Sequence, residues 1–417
     1  MTTVERNHRS FALFSVIITV GALVFIIALL WGVRGHWRNR DFCQWYLCGL
    51  ALKQSPATLY SADLNVLARG LGMEQTSEEN KGVNYPPSAI VVFEQLTWLS
   101  PQTAFRVFQV LEFVSLLLIV WLLVWDETPT TEVWFKFGLS SLVIFFYPVS
   151  EQMHQGVISI FLLLLLLLTM RGLRRESDLL AGSTLALACL MKIFPVLILL
   201  HLTLLKRWRT IRAFIAFALL GSVVTISIVG LHSSFSFVTK LGYLNTMNGP
   251  FSVKAFVLHL FRLVFGLPLR ARALRAYQIS AAISELALVA LAIKGTLASS
   301  RDLKGQQHSF GLWLVVMVVL SPPAWAHYGV LFLPTLAQVA FATYARVVPL
   351  LTTILGIATY FLANIGGLIF VLAINASIIP MLKHSSYDWS RMQAVYGLFF
   401  VCGVLALTTA YRLCVDS

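Results

Sequence analysis

Asp41 directly follows Arg38-Asn39-Arg40 and opens an aromatic-rich stretch, Phe42-Cys43-Gln44-Trp45-Tyr46. A carboxylate at the start of a helix is stabilised by unpaired N–H groups and the helix dipole, and nearby arginines favour its ionised form. It can be an ordinary helix cap, or a base that takes the proton of a bound hydroxyl in a membrane-proximal cavity. Further along, Asn84-Tyr85-Pro86-Pro87 forms a rigid corner that either holds Tyr85 over a pocket or merely punctuates the chain. His154 and Gln155 belong to the polar knot Glu151-Gln152-Met153-His154-Gln155-Gly156 between apolar runs, where they are solvated or hydrogen-bond sugar hydroxyls.

Lys192 lies in Leu190-Met191-Lys192-Ile193-Phe194-Pro195, where an ionisable side chain is costly. It suits a phosphate contact or a helix hinge, and snorkelling to the interface is the bland alternative. His327 follows Ser321-Pro322-Pro323-Ala324-Trp325-Ala326, and a proline-broken backbone at membrane depth is tolerated only inside protein or beside a water-lined cavity. Asn245, Asn248 and Ser252, with Arg262, Arg270, Arg272 and Arg275, make a basic, amide-rich loop that suits phosphate or lipid headgroups equally well.

The elements that must position these groups are set by composition. The 417 residues are 58% hydrophobic and only 12% charged, which excludes a water-soluble globular protein. The mean hydropathy of +0.80 asks for lipid as solvent, and the chain reads as an all-α polytopic membrane protein of about twelve transmembrane helices. The spans are placed at 11–33, 103–125, 134–149, 156–170, 179–191, 193–206, 211–232, 276–298, 309–321, 327–344, 347–375 and 392–413. The pair 179–191 and 193–206 reads as a hairpin broken at Lys192 and Pro195, which keeps the basic runs at 171–175 and 206–212 on one side. The polar start followed by Phe11 to Val33, with no small-residue cleavage site, reads as a retained first span.

The whole chain, 1–417, reads as a single membrane domain. Its largest non-spanning piece is an outer loop at 34–102 with short interfacial helices over 42–53, 59–70 and from Pro87 to about Leu99; 252–265 is a further one. The net charge of +13 sits between apolar spans, so membrane lipids rather than nucleic acid are its counter-charge. Five cysteines form no CxxC pair, and no Asp-x-Asp or metal-ligand spacing occurs, so neither a disulfide frame, a metal nor a cofactor is expected. With the N-terminus inside, the inner loops carry Arg171, Arg174 and Arg175, Lys206, Arg207, Arg209 and Arg212, Arg301 with Lys304, and Arg346, although the acidic segment 126–132 and the outer Arg34, Arg38 and Arg40 go against that rule.

In their order, these elements resemble glycosyltransferase family 87, membrane transferases of the GT-C type. The likeness rests on Asp41-Phe42 with Tyr46, Gly49, Leu52, Leu59 and Tyr60; on Tyr85-Pro86-Pro87; on the leucine run after Gln155 through Lys192, Pro195 and Lys206-Arg207-Trp208; and on Ser321-Pro322, Trp325, His327-Tyr328 and Leu333-Pro334. It runs from about residue 41 to about residue 335. The family often has Gly-Gln and then Asn where His154-Gln155-Gly156-Val157 stands here. The resemblance implies a GT-C-like helical bundle that moves a sugar, mannose by family precedent, from a polyprenyl-phosphate donor to a lipid or glycan acceptor. It implies Asp41 as general base and His327 as a contact to the donor phosphate; Tyr85, His154, Gln155, Lys192, Asn248, Arg270 and Trp325 are candidate substrate contacts on the reading of the residues themselves. It also implies a bacterial inner membrane with the active site facing outside. An arabinofuranosyltransferase of the same family, a transporter or lipid flippase, and a non-catalytic scaffold are the competing readings.

Overall fold

The computed structural model describes residues 41–72, 82–126, 132–244, 249, 251–265, 271–299, 302–375 and 389–416. Every regular element among them is helical. The expected first span at 11–33 lies outside the described residues, as do Asn248 and Arg270. The chain divides into two compact units: the described residues up to Phe145 with Ser150–Val196 and Trp208–Leu244, and Phe146–Val149 with Leu197–Arg207 and everything after Leu244.

The first unit opens with α1 (Asp41–Gln54), then a 3-10 turn (Pro56–Ser61), α2 (Leu64–Gly70), α3 (Pro87–Glu94) with a 3-10 extension (Gln95–Trp98), and α4 (Pro101–Val120) running into a π turn (Trp121–Asp126). Between Leu59 and Gly70 one helix was expected, and there are two pieces. The reason is local: Asp63 accepts a hydrogen bond from Asn65 N (2.9 Å) and so starts a new helix. Proline at the first turn starts α3 and α4, and Ser100 caps the latter. α1 is apolar almost all round and is therefore buried: Phe42, Trp45, Tyr46, Leu47, Cys48 and Leu52 lie in a core with Phe93, Phe105 and Phe108.

α5 (Val133–Ile144) and α6 (Tyr147–Gln155) replace the single expected span 134–149, bent by 49° at a break where Pro148 begins the second helix. α7 (Ser159–Arg174) and α8 (Asp178–Met191) form a hairpin, and α8 lies against α10 (Trp208–Val229), which leads into α11 (Leu231–Leu244). A Cβ on Gly182 would sit 2.6 Å from both Ala213 Cβ and Phe214 N, so the two backbones approach closely there because this residue has no side chain. Asp126 accepts from Arg171, Arg174 and Arg175 at 2.9–3.3 Å. The start of the acidic segment 126–132 is thus neutralised by the basic run it opposed in the charge count.

The second unit contains α9 (Ile198–Leu204), α12 (Val253–Phe265), α13 (Ala271–Ser299), α14 (Leu303–Leu320), a 3-10 stretch (Ala326–Phe332), α15 (Leu333–Tyr344), α16 (Leu350–Asn375) and α17 (Trp389–Asp416). α14 is its axis, buried from Ser309 through Val319. The expected helix 327–344 begins instead as 3-10 and becomes α only where Pro334 starts a regular turn.

Three described helices are long and apolar enough to cross a bilayer, Pro101–Asp126, Trp208–Val229 and Ala271–Ser299, and the bent pair Val133–Ile144 with Tyr147–Gln155 makes a fourth if it is one span. Shorter apolar helices occupy Asp178–Met191, Phe194–Leu204, Leu350–Ile365 and Phe399–Val415. α10 exposes Ile215, Leu219, Leu220, Val223 and Val224 together, a face that only lipid or another apolar partner tolerates. Near the end of α1, Lys53 Nζ lies 3.9 Å from the ring centroid of exposed Trp98, an amphipathic pair suited to a headgroup layer. Gly182→Ala should destabilise the first unit by about 1–3 kcal/mol, because the new methyl meets backbone that cannot yield. Thermal unfolding in detergent, parent against variant, measures it.

Candidate functional site

α1 presents few polar groups near its start. Phe42, Cys43, Trp45, Tyr46, Leu47 and Cys48 are buried, whereas Asp41 and Gln44, one turn apart, are half-buried. The Tyr85 hydroxyl donates to Gln44 Oε1 at 2.8 Å, and the Tyr85 ring stacks on Trp45 with centroids 3.4 Å apart. Tyr60 in turn donates to the Tyr85 carbonyl at 2.7 Å, so the Tyr85-Pro86-Pro87 corner is fixed from both sides. The next residue, Ser88, donates to the Leu190 carbonyl and ties the start of α3 to the end of α8.

That end of α8 is where Lys192 emerges. Its backbone is extended (φ −149°) and its N–H closes the last turn on Ala188 O, before a short 3-10 turn, Phe194–Leu197, resumes the path. The helix thus ends at Lys192, where a break was expected, and Pro195 lies in the 3-10 turn that follows. Lys192 acts electrostatically on Asp41, as does Glu151 of α6. Gln155, one turn after Glu151, donates to its Oε1 at 3.0 Å, and His154 lies beside it on α6.

Burial pushes the Asp41 pKa up from 3.8 to about 6; the Glu151 carboxyl adds to the rise and the Lys192 ammonium opposes it. The outcome is a carboxyl that is ionised at neutral pH yet basic enough to hold a proton a little below it. Its aromatic neighbour Phe42 is pressed against the turn after α6, since a Cβ on Gly156 (φ +67°) would lie 2.8 Å from Phe42 Cβ. Only glycine both adopts this backbone and admits that approach.

In the second unit, His327 is buried on the 3-10 stretch, its ring 4.7 Å from that of Tyr328, while Trp325 is half-exposed. The preceding break is not loose. Gly249 N donates to Pro322 O at 2.7 Å and Phe251 N to Ala324 O at 3.1 Å, a short ladder that satisfies backbone groups freed by the prolines. Of the candidates read from the sequence, Asp41, Tyr85, His154, Gln155 and Lys192 thus belong to the first unit, and Trp325 and His327 to the second. Gln44 and Glu151 had not been singled out. Gln44 was legible as the polar residue one turn beyond Asp41, whereas the influence of Glu151 on Asp41 depends on how α1 and α6 pack.

Residues 84–322, more than half of the chain, match the model of glycosyltransferase family 87. The match begins at the Tyr85 corner and ends at the Pro322 break, so Asp41 lies 43 residues before it and His327 five residues after it. No curated protein matches the chain.

The charge balance at Asp41 gives signed expectations. Lys192→Met should raise the Asp41 pKa above 6 and Glu151→Gln should lower it, both read as the pH midpoint of carbodiimide labelling of Asp41 by peptide mass spectrometry. Because the folded-state pKa is raised, the folded chain binds the proton more tightly than the unfolded one. The stability contribution of Asp41 therefore declines as pH rises from about 4 to about 6. Asp41→Asn should accordingly unfold at no lower temperature than the parent at pH 7.

Proposed function

Because the chain belongs to glycosyltransferase family 87, we propose that this membrane glycosyltransferase transfers a sugar, mannose, from a polyprenyl-phosphate donor to a lipid-linked or glycan acceptor, on the outer side of a bacterial inner membrane. In this reading the shorter apolar helices are spans completed by their neighbours, giving about twelve in a GT-C-like bundle.

Asp41 is the general base. Its carboxylate takes the proton of the acceptor hydroxyl as that oxygen bonds to the anomeric carbon, and the bond from that carbon to the phosphate oxygen breaks with its electron pair leaving on the phosphate. Attack opposite the leaving group inverts the centre, so a β-linked donor gives an α-glycoside. The polyprenyl phosphate monoester leaves without needing a proton, so charge stabilisation is what its departure requires. His327, held on a backbone pinned by residues 249 and 251, is the donor-phosphate contact, and Lys192 adds positive charge beside the base. Gln44, Tyr85, His154, Gln155 and Trp325 are candidate sugar and acceptor contacts. Arg270 and Asn248 remain candidates by sequence for the phosphate.

The observation that carries the reading is the half-buried carboxyl at the start of α1 with a pKa near 6, joined to a family match that begins at the corner packed against the same helix. A base of that strength is free to act at pH 7 and still takes up a proton readily.

In purified protein supplied with polyprenyl-phosphate mannose and membrane-lipid acceptors, Asp41→Asn should lower transfer by about 10²–10⁴-fold. The parent kcat/KM should fall as pH drops through about 6, because protonation removes the base. Transfer by Asp41→Asn near the parental rate would remove Asp41 from the chemistry, and product made only from a nucleotide sugar or from polyprenyl-phosphate arabinose would overturn the donor assignment. His327→Ala should raise the donor KM more than the acceptor KM, and the reverse order would refute the phosphate contact.

A further inference from the structure

A second carboxylate lies inside the first unit, away from the residues given chemical roles above. Glu112 sits mid-way along α4, within the long candidate span, and its side chain is wholly buried. An ionisable group there is expensive unless it has a task. Its Oε1 accepts a hydrogen bond from Gln152 Nε2 at 2.9 Å, while its Oε2 is buried with no hydrogen-bonding partner among the described residues.

Gln152, also wholly buried, uses its other end as well: its Oε1 accepts from Ser159 N at 3.2 Å, at the open amino end of α7. One amide thus bridges α4 to the start of α7. Between its two ends runs the turn 156–158, whose Gly156 N closes on Gln152 O at 3.0 Å. That turn abuts Phe42, the neighbour of Asp41, and Phe105, two turns before Glu112 on α4. From the same short helix, flanking Gln152, come Glu151 and Gln155, hydrogen-bonded to each other.

We propose that Glu112 is a positioning residue: as a buried hydrogen-bond acceptor it locks Gln152, and through it sets the α6–α7 joint from which Glu151 acts on Asp41. The role belongs to the acceptor oxygen rather than to charge, since Gln152 Nε2 is the only group Glu112 engages among the described residues. This inference rests on Asp41 being the base. Among the described residues, the charged groups bearing on Asp41 are Glu151 from α6 and Lys192 from the end of α8, and only the first is carried by the joint.

The test compares Glu112→Asp, which retracts the carboxyl by one methylene, with Glu112→Gln, which keeps length and an acceptor oxygen. Two readouts are taken on the full chain in detergent: the pH midpoint of carbodiimide labelling of Asp41, which needs no turnover, and sugar transfer. Glu112→Asp should lower the labelling midpoint by about half a unit or more as Glu151 withdraws, and lower transfer by about 10²-fold. Glu112→Gln should keep the midpoint near 6 and a near-parental rate. Should Glu112→Asp not fold, Gln152→Asn, which shortens the amide itself, is read in the same way. An unmoved midpoint in the shortened variant overturns the proposal, and so does a Glu112→Gln midpoint displaced as far as that of Glu112→Asp. A loss of transfer with an unmoved midpoint also overturns it, because packing damage alone produces that result. If the parent transfers no sugar yet the midpoints move as stated, the positioning role stands and the donor assignment is what fails.

Discussion

A polar group withdrawn from water within an apolar host has to find its partner in the protein, and the arrangement of the first unit follows from that demand. An ammonium favours the charge of Asp41 and a carboxyl opposes it, and burial tips the balance towards proton uptake. Glu112 is matched to one amide, and that amide to one backbone N–H, so a single costly side chain orders two helices. Asp126 collects three guanidinium groups, which holds the ends of α4 and α7 in register. In each case the energetic penalty of burial is converted into geometric specificity.

The second requirement is rigidity without bulk. Sites on loops drift, and loss of about 1 Å in placement costs a large part of a rate. Here the candidate site stands on helix ends whose paths are fixed by proline, glycine and side chain–backbone bonds. The Tyr85 corner is locked by Tyr60, Gln44 and Ser88, and the turn at Gly156 is clamped between Phe42 and Phe105. The same close approach that allows the clamp forbids any larger residue at the turn.

The second unit solves a related problem differently. Pro322 and Pro323 stop α14 inside apolar surroundings, where freed carbonyls need donors. Gly249 and Phe251 supply them from a distant part of the chain, and the resulting stiff segment carries Trp325 and His327. A hydrogen-bonding side chain held on such a segment needs little reorganisation when charge develops beside it.

Much of this was written locally. The apolar helices, the breaks at Lys192–Pro195 and Pro322–Pro323, the helix over 42–53 and the short helix after Pro87 follow from hydropathy and turn chemistry, which act over a few residues. Even the misjudged boundaries had local signals, since Asp63, Pro148 and Pro334 each start a helix where one continuous element had been expected. Tertiary structure alone decided which side chains meet. That Tyr85 grips Gln44, that Glu151 acts on Asp41 and that Glu112 holds Gln152 are contacts across tens of residues, set by how helices pack. No periodicity within one helix records them, because an apolar face specifies burial but not the partner against which it is buried.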